Sequence, residues 1–193
     1  AASALVFCAQ DALAYARGSL SERTMNVTDW QLVALDVTEQ QPGSTTLCTQ
    51  DNDPQLLWDG VQGAVRTVTY TVEMDDLARE VCLYYTTRPG EDYSADRRVF
   101  ATDLGGGRYL FQLPRTTLHA LRIDPCSPVE GRNVTMTFTP GEIVLNAPDT
   151  LPSGLAYFVP SWYQLFCLVL YPGLLAAALS WLCAVAKRFF GKR

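Results

Sequence analysis

The central part of the chain alternates apolar and polar side chains with a period of two, which is typical of β-strands that bury one face. In Thr67–Met74 we expect one set of side chains to face a core, with the intervening polar residues on the other side; the set comprises Val68, Tyr70, Val72 and Met74. The stretch 133–139 repeats this pattern. Shorter runs with strand character occupy residues 30–37, 45–49, 81–87, 97–102, 108–113, 120–124 and 142–145.

Turn-forming residues separate these runs. Pro-Gly pairs stand at 42–43, 89–90 and 140–141, and three consecutive glycines stand at 105–107. Short strands separated by turns, with no regular alternation of strands and helices, predict a mainly β chain with an antiparallel, jelly-roll-like β-sandwich over residues 23–147. The pattern argues against a nucleotide-binding α/β fold.

The C-terminal part of the chain differs in composition, because no charged residue occurs between positions 150 and 186. As a helix, residues 162–186 would extend roughly 37 Å, enough to cross a bilayer. Trp162 and Tyr163 lie at one end, where aromatic rings favour the headgroup layer, and Lys187 and Arg188 follow the other end. We therefore predict a transmembrane helix at 162–186 and a basic cytoplasmic tail at 187–193. The bulk of the chain would then lie on the extracellular or periplasmic side of the cell membrane.

The predicted membrane helix contains a proline, a second tryptophan and a group of small residues. Pro172 removes a backbone hydrogen bond and predicts a kink, and Trp181 belongs to the same anchor. The small residues at 176–178 would allow another membrane protein to approach closely, so the expected partners include the lipid bilayer and such a protein.

The segments on either side of the predicted sandwich are apolar or stiff. Residues 1–22 form an apolar segment, for which we expect a helix to about Arg17 that Gly18 ends. This segment is either the remnant of a signal sequence or the end of a first membrane helix. Residues 148–161 contain three prolines and Gly154, and predict a linker.

Charge excludes one class of partner. The chain has 15 Lys and Arg against 20 Asp and Glu, and four of the basic residues lie in the last seven positions. The remainder therefore has a net charge of −9. We expect no nucleic-acid partner, because phosphate contacts need clustered basic side chains.

Candidate catalytic chemistry is sparse, and we expect neither an enzyme nor a cofactor. His119 is the only histidine, and no cysteine or second histidine is spaced to share a metal with it. Asp51 and Asp53 are weak candidates for Ca²⁺, since they lack the full ligand set of a calcium loop. Cys82 could pair with Cys126 or Cys48 in an oxidising compartment, or all three could remain free.

One part of the sequence resembles a known kind of domain. Residues 108–114, Arg-Tyr-Leu-Phe-Gln-Leu-Pro, are followed at 121–125 by Leu-Arg-Ile-Asp-Pro and then by a closing strand. This order resembles jelly-roll domains that look like carbohydrate-binding modules and occur in the extracytoplasmic parts of bacterial membrane proteins of surface-polysaccharide assembly. The resemblance implies glycan recognition, or an accessory role in that assembly, but brings no binding residue with it.

A glycan site would need aromatic rings flanked by polar groups. We expect the ligand-binding residues among Tyr84, Tyr85, Arg88, Tyr93 and Trp58, because Tyr84 and Tyr85 are adjacent on a predicted strand and one of them must face away from the core. Two alternatives are a structural or sensory ectodomain that contacts a membrane protein, and a glycoside-processing enzyme.

Overall fold

The structure is a computed structural model that describes residues 2–77, 79–159 and 162–190, with side chains described at 3–77, 79–159 and 165–182. The chain divides into two compact units. One unit comprises Ala9–Leu151. The other comprises the described residues of Ala1–Cys8 and Pro152–Arg193.

The first unit consists of two antiparallel sheets. A seven-stranded sheet has the order β3-β4-β12-β6-β10-β9, with β1 also paired to β12, and a five-stranded sheet has the order β2-β5-β11-β7-β8. The strands are β1 Arg23–Asn26, β2 Gln31–Val33, β3 Leu35–Gln41, β4 Ser44–Thr49, β5 Gln55–Asp59, β6 Thr67–Met74, β7 Cys82–Thr86, β8 Arg98–Phe100, β9 Thr102–Asp103, β10 Arg108–Gln112, β11 Ala120–Asp124 and β12 Thr135–Leu145. The predicted mainly β, antiparallel sandwich is confirmed.

The inward faces of both sheets share one hydrophobic core. Tyr70 of β6 lies near its centre, with its ring centroid 5.8 Å from that of Phe111 and 5.5 Å from that of Phe138. Leu121 and Ile123 of β11 contribute from the five-stranded sheet, and both are fully buried. The alternation seen in Thr67–Met74 therefore corresponds to one face packed on this core, with Val68, Tyr70 and Val72 buried.

Two runs expected as single strands each divide between the sheets. In the run 30–37, β2 belongs to the five-stranded sheet and β3 to the seven-stranded sheet, with Ala34 between them at a φ of 53°. In the run 97–102, β8 and β9 divide in the same way on either side of Ala101. The chain passes from one sheet to the other at these alanines, and the pattern of apolar and polar residues does not reveal this change of sheet.

The Pro-Gly pair at 140–141 does not separate two strands, contrary to the sequence-based expectation. β12 continues through it, and the register against β6 shifts between Phe138 and Ile143. The extra residues form a bulge, the position in a sheet that tolerates proline. A Cβ on Gly141 would lie 2.6 Å from Thr45 Oγ1, so a larger residue here would force Thr45 of β4 to shift.

The outer face of the seven-stranded sheet is partly covered by the chain that follows β12. Thr67 and Thr69 are buried although they point away from the core. The hydroxyl of Thr67 lies 2.7 Å from that of Thr150, and the Thr69 hydroxyl donates to the Val144 carbonyl at 3.4 Å. These contacts satisfy the buried hydroxyls.

The N-terminal helix α1, Ala2–Ala16, carries an acidic residue that the first unit buries. The Asp11 side chain is 4% exposed, and its carboxylate accepts from Arg66 Nε at 3.0 Å and from Arg115 Nη2 at 2.6 Å. Arg66 precedes β6, and Arg115 follows β10. The residues around Asp11 are therefore attached to the sandwich by paired charges.

The second unit contains the long helix α2, Trp162–Phe190, with Pro172 inside it. Its window Leu165–Leu182 has a mean hydropathy of 2.0 and none of it is buried, which makes it a candidate membrane span by length and composition. Trp181 is 65% exposed. The side chains of Trp162, Tyr163, Lys187 and Arg188, assigned to the anchor from the sequence, lie outside the described side chains.

The ion pairs of Asp11 predict a large effect of one substitution. In Asp11→Asn the carboxylate is lost and two arginines lose a partner, so the free energy of unfolding should fall by about 3–5 kcal/mol. Denaturant unfolding of the chain in neutral detergent micelles measures this change. Asp149→Asn removes the partner of Arg108 at a site where the carboxylate is 59% exposed, and should cost much less. Equal losses in both variants would contradict the role of Asp11.

Candidate functional site

The candidate site begins with the two adjacent tyrosines of β7, which point to opposite sides of the five-stranded sheet. Leu83 and Tyr85 face inward, where Leu83 is fully buried and Tyr85 packs on the core. Tyr84 lies between them in the sequence and therefore faces outward. It is half-buried on the outer face of this sheet.

The strand register places one arginine on each side of Tyr84. Arg122 of β11 and Arg98 of β8 lie directly opposite Tyr84 in the two neighbouring ladders. The Arg122 Cζ is 5.1 Å from the centroid of the Tyr84 ring, and the Arg98 Cζ is 5.8 Å from it. Both distances lie within the range of cation–π attraction. We call the surface formed by Tyr84, Arg98, Phe100 and Arg122 the Tyr84 face.

Arg122 is neutralised by two carboxylates. Its Nε donates to Asp124 Oδ1 at 2.6 Å and its Nη2 donates to Asp124 Oδ2 at 2.8 Å, a bidentate pair. Nη2 also donates to Asp53 Oδ1 at 2.7 Å. Burial raises the pKa of Asp124, and the guanidinium of Arg122 opposes that rise. The three side chains form a fixed polar cluster beside Tyr84.

Arg98 has different surroundings. Its Cζ lies 4.5 Å from the centroid of the Phe100 ring, and its Nη1 donates to the Tyr84 hydroxyl at 3.4 Å. Phe100 is 57% exposed. The Tyr84 face thus presents two aromatic rings, one neutralised guanidinium and one guanidinium held by aromatic contacts.

The loop between β7 and β8 brings Tyr93 towards this face. Burial raises the pKa of Tyr93, Asp59 adds to the rise and Arg122 opposes it, so Tyr93 lies within electrostatic reach of both charges. Glu91 fixes the loop, because its Oε2 accepts from the Thr87 amide at 2.8 Å and its Oε1 pairs with Arg97 Nη2 at 3.1 Å.

Three of the five residues predicted from the sequence lie elsewhere. Trp58 and Tyr85 are both opposite Leu121 in the sheet register, on the inner face. Trp58 also packs against Trp30 with 5.6 Å between ring centroids. Arg88 is exposed in the loop after β7. The structure therefore places Tyr84 against Arg122 and Tyr93 within electrostatic reach of Arg122, while Trp58 and Tyr85 pack on the core.

Sequence reasoning missed Arg98, Phe100 and Arg122. A signal for Arg122 was present, because Leu121 and Ile123 alternate inward and leave the arginine between them facing outward. Arg98 and Phe100 flank the inward-facing Val99 in the same way. What the sequence lacked was the register that places them beside Tyr84.

The weak calcium candidates have other partners. Asp53 binds Arg122 and also accepts from Gln55 Nε2 at 2.6 Å, while Asp51 Oδ1 accepts from the Asn52 amide at 2.5 Å. Among the described residues, no three His, Cys, Asp or Glu side chains converge to hold a metal ion. The geometry offers no support for a calcium site.

The described cysteines are free thiols. Burial raises the pKa of Cys82 to about 11 and that of Cys126 to about 12. Both thiols therefore stay protonated at neutral pH, and a protonated thiol is a poor nucleophile.

Two polar clefts in the first unit lack aromatic side chains. One, of about 360 Å³, lies beside the turn between β3 and β4, and its lining includes Gln41 and Glu142. The other, of about 520 Å³, is lined partly by Arg66 and Arg115. Since neither offers a ring on which a sugar could stack, the Tyr84 face remains the better candidate for a glycan site.

The contacts of Glu91 predict a pH effect on the loop. The hydrogen bond from the Thr87 amide is the main cause that lowers the pKa of Glu91. The ionised Glu91 carboxylate therefore stabilises the loop above the ordinary glutamate pKa, and this stabilisation is lost as the pH falls through the lowered pKa. The amide resonance of Thr87 should follow this titration in NMR spectra, with an inflection below the ordinary value. Glu91→Gln should abolish the inflection and Asp92→Asn should keep it. An unchanged titration in Glu91→Gln would contradict the assignment.

Among comparisons with known proteins, only the comparison with solved structures found similar chains. No family model matches the chain, and no curated protein matches it. A xylan-binding module of family 86 from Roseburia intestinalis is similar over 65% of this chain and 94% of its own length, with 14% identity and a TM-score of 0.40. A β-1,3-glucan-binding module of family 6 from Bacillus halodurans is similar over 65% and 96%, with 8% identity and a TM-score of 0.44.

A third solved structure belongs to the same kind of module. It is a family 6 carbohydrate-binding module from Clostridium cellulolyticum in complex with xylose, similar over 67% of this chain and 98% of its own length, with 7% identity and a TM-score of 0.46. The resemblance to carbohydrate-binding modules noted from the sequence is thus confirmed as a resemblance. Because every one of these TM-scores lies below 0.5, a function has to be argued from the chain's own residues.

Proposed function

We propose that this chain is a non-catalytic glycan-recognition protein anchored in the cell membrane, with the Tyr84 face as its binding surface. The observation that carries the proposal is the outward-facing Tyr84 with a guanidinium on each side and the exposed Phe100 ring nearby. Sugars present apolar ring faces and polar edges. Aromatic rings suit the first and charged hydrogen-bonding groups suit the second.

The position of the face on paired strands supports this proposal. Tyr84, Arg98 and Arg122 belong to three adjacent strands, so their spacing is fixed by backbone hydrogen bonds. Binding groups on rigid elements lose little conformational freedom when a ligand arrives. A sugar would meet a surface that is already in place.

The carboxylates of this region argue against glycoside hydrolysis. That reaction needs one carboxyl group that donates a proton and a second that acts as base or nucleophile. Both oxygens of Asp124 accept from Arg122, its side chain is 11% exposed, and Asp53 binds the same guanidinium. These contacts hold the two groups as acceptors, which favours binding without catalysis.

The membrane anchor of the proposal is α2. Its apolar window is unburied along its whole length, and a helix of this length satisfies its own backbone groups inside a bilayer. The basic residues Lys187 and Arg188 favour a cytoplasmic C-terminus, with the sandwich on the extracytoplasmic side. An accessory role in surface-polysaccharide assembly fits this placement, and small residues such as Ala177 offer a face for a membrane protein of that assembly.

Binding should depend on Tyr84 and not on its neighbour. Tyr84→Leu should weaken binding to a glycan identified on an array of bacterial surface polysaccharides by roughly 10- to 30-fold, since truncating a central aromatic anchor has effects of this order. Isothermal titration of the full chain in neutral detergent measures the loss.

The matched control is Tyr85→Leu, the same substitution one residue along β7 on the inward face, which should retain affinity once folding is verified by circular dichroism. A glycan that binds both variants as well as the unaltered chain would remove the Tyr84 face from consideration. The absence of any glycan binding by folded chain would overturn the proposed function and favour the structural or sensory alternative.

Membrane insertion should depend on the middle of α2. Leu175→Arg places a charge at the centre of the apolar window at a cost of about 3 kcal/mol to insertion. The fraction of chain that resists alkaline extraction from membranes should fall strongly. Leu155→Arg, in the short 3₁₀ helix Gly154–Phe158 before α2, should leave that fraction unchanged. Full retention of Leu175→Arg in membranes would contradict a spanning helix.

A further inference from the structure

The two arginines of the Tyr84 face differ in their counterions. Arg122 binds Asp53 and Asp124 at 2.6–2.8 Å. Arg98 has no carboxylate within 4.0 Å among the described side chains, and its contacts are the Phe100 ring and the Tyr84 hydroxyl. The neighbouring Arg97, in contrast, pairs with Glu91. Arg98 is thus a half-buried cation that the surrounding residues orient and that no described carboxylate contacts directly.

An oriented guanidinium of this kind is suited to an anion. Removing a charge from water has a cost that a counterion offsets, and stacking on aromatic rings offsets it in part. A carboxylate matches the two parallel N–H groups of arginine and forms bidentate, charge-assisted hydrogen bonds. The stacking on Phe100 limits the rotation of Arg98, so less side-chain entropy is lost when an anion binds.

The net negative charge of the chain outside its last seven residues bears on what Arg98 could bind. Outside the last seven residues there are 11 basic and 20 acidic side chains, so the domain repels anions in general. Asp124 and Glu80 lie within electrostatic reach of Arg98. Arg122 offsets one of the two negative charges of Asp53 and Asp124, so these three side chains together carry a charge of −1. Attraction of an anion to this surface therefore has to come from Arg98 itself.

We propose that the Tyr84 face recognises an acidic sugar, with the carboxylate of a uronic acid seated on Arg98 and the sugar ring against Tyr84 and Phe100. This inference rests on the proposed function and names the class of glycan for the same surface. Arg122 supplies hydrogen bonds from a cluster whose two carboxylates outweigh its own charge. Arg98 supplies the positive charge that distinguishes an acid from a neutral sugar.

The test compares each acid with its uncharged form. Oligosaccharides of galacturonate, glucuronate and mannuronate are titrated into the full chain in neutral detergent, each beside its own methyl ester, together with neutral glucans and xylans. At least one acid should bind about tenfold or more tightly than its ester, since a hydrogen bond between charged groups contributes more than a neutral one. This preference should shrink as salt concentration rises.

Arg98→Gln should abolish the preference for the acid, because the affinity for the acid falls to about that for its ester. Arg98→Lys keeps the charge without the two parallel donors and should give an intermediate preference. Arg132→Gln is the control, because it makes the same change in net charge at an exposed arginine that pairs with Asp76 outside both sheets. It should behave as the unaltered chain does, and circular dichroism verifies the fold of each variant.

The outcomes separate the two proposals. Equal affinity for acids and esters, a preference for neutral glycans, or an acid preference that survives in Arg98→Gln would overturn the assignment of Arg98 while the proposed function stands. Binding of sulfated glycans with no binding of any uronate would overturn the uronate assignment. Failure of every glycan to bind would overturn both.

Discussion

The packing of the two sheets against each other is the interaction on which the rest of the first unit depends. Tyr70, Phe111 and Phe138 fill the space between the sheets, and the inward residues of β7 and β11 complete this core. Successive residues of a strand face opposite ways, so burying Leu83, Leu121 and Ile123 leaves Tyr84 and Arg122 on the outer face. The candidate site is therefore a consequence of how the core is packed.

Charge then gives this outer face its chemical character. Arg122 is held by Asp53 from the loop before β5 and by Asp124 from its own strand, so two distant parts of the chain meet at one guanidinium. Arg98 stands on the other side of Tyr84, where it stacks on Phe100 and donates to the Tyr84 hydroxyl, and no carboxylate among the described side chains contacts it. Two arginines at equivalent positions on either side of one ring thus differ in free charge, and that difference is a physical basis for selectivity between charged and neutral ligands.

The two units of the chain differ in whether their apolar side chains are buried or exposed. The first unit buries them in a core and uses paired charges, such as Asp11 with Arg66 and Arg115, where polar groups are removed from water. The second unit exposes nearly every described side chain of α2, and these side chains are almost all apolar. Exposed apolar surface of this extent is stable in a bilayer and unfavourable in water, which is the physical ground for the anchor that we propose.

The sequence by itself determined the antiparallel β character of the domain, most strand positions in residues 67–145, and the apolar helix at the C-terminus, because these follow from local periodicity, turn residues and the absence of charge. It did not reveal β1 and β5, the change of sheet at Ala34, or the continuation of β12 through Pro140. Of the residues that it predicted for a ligand site, Tyr84 lies on the outer face of the sheet, whereas Trp58 and Tyr85 pack inward. Only the tertiary structure decided which tyrosine faces solvent and which arginines flank it, since strand register and the partner sheet are set by contacts between residues far apart in the chain.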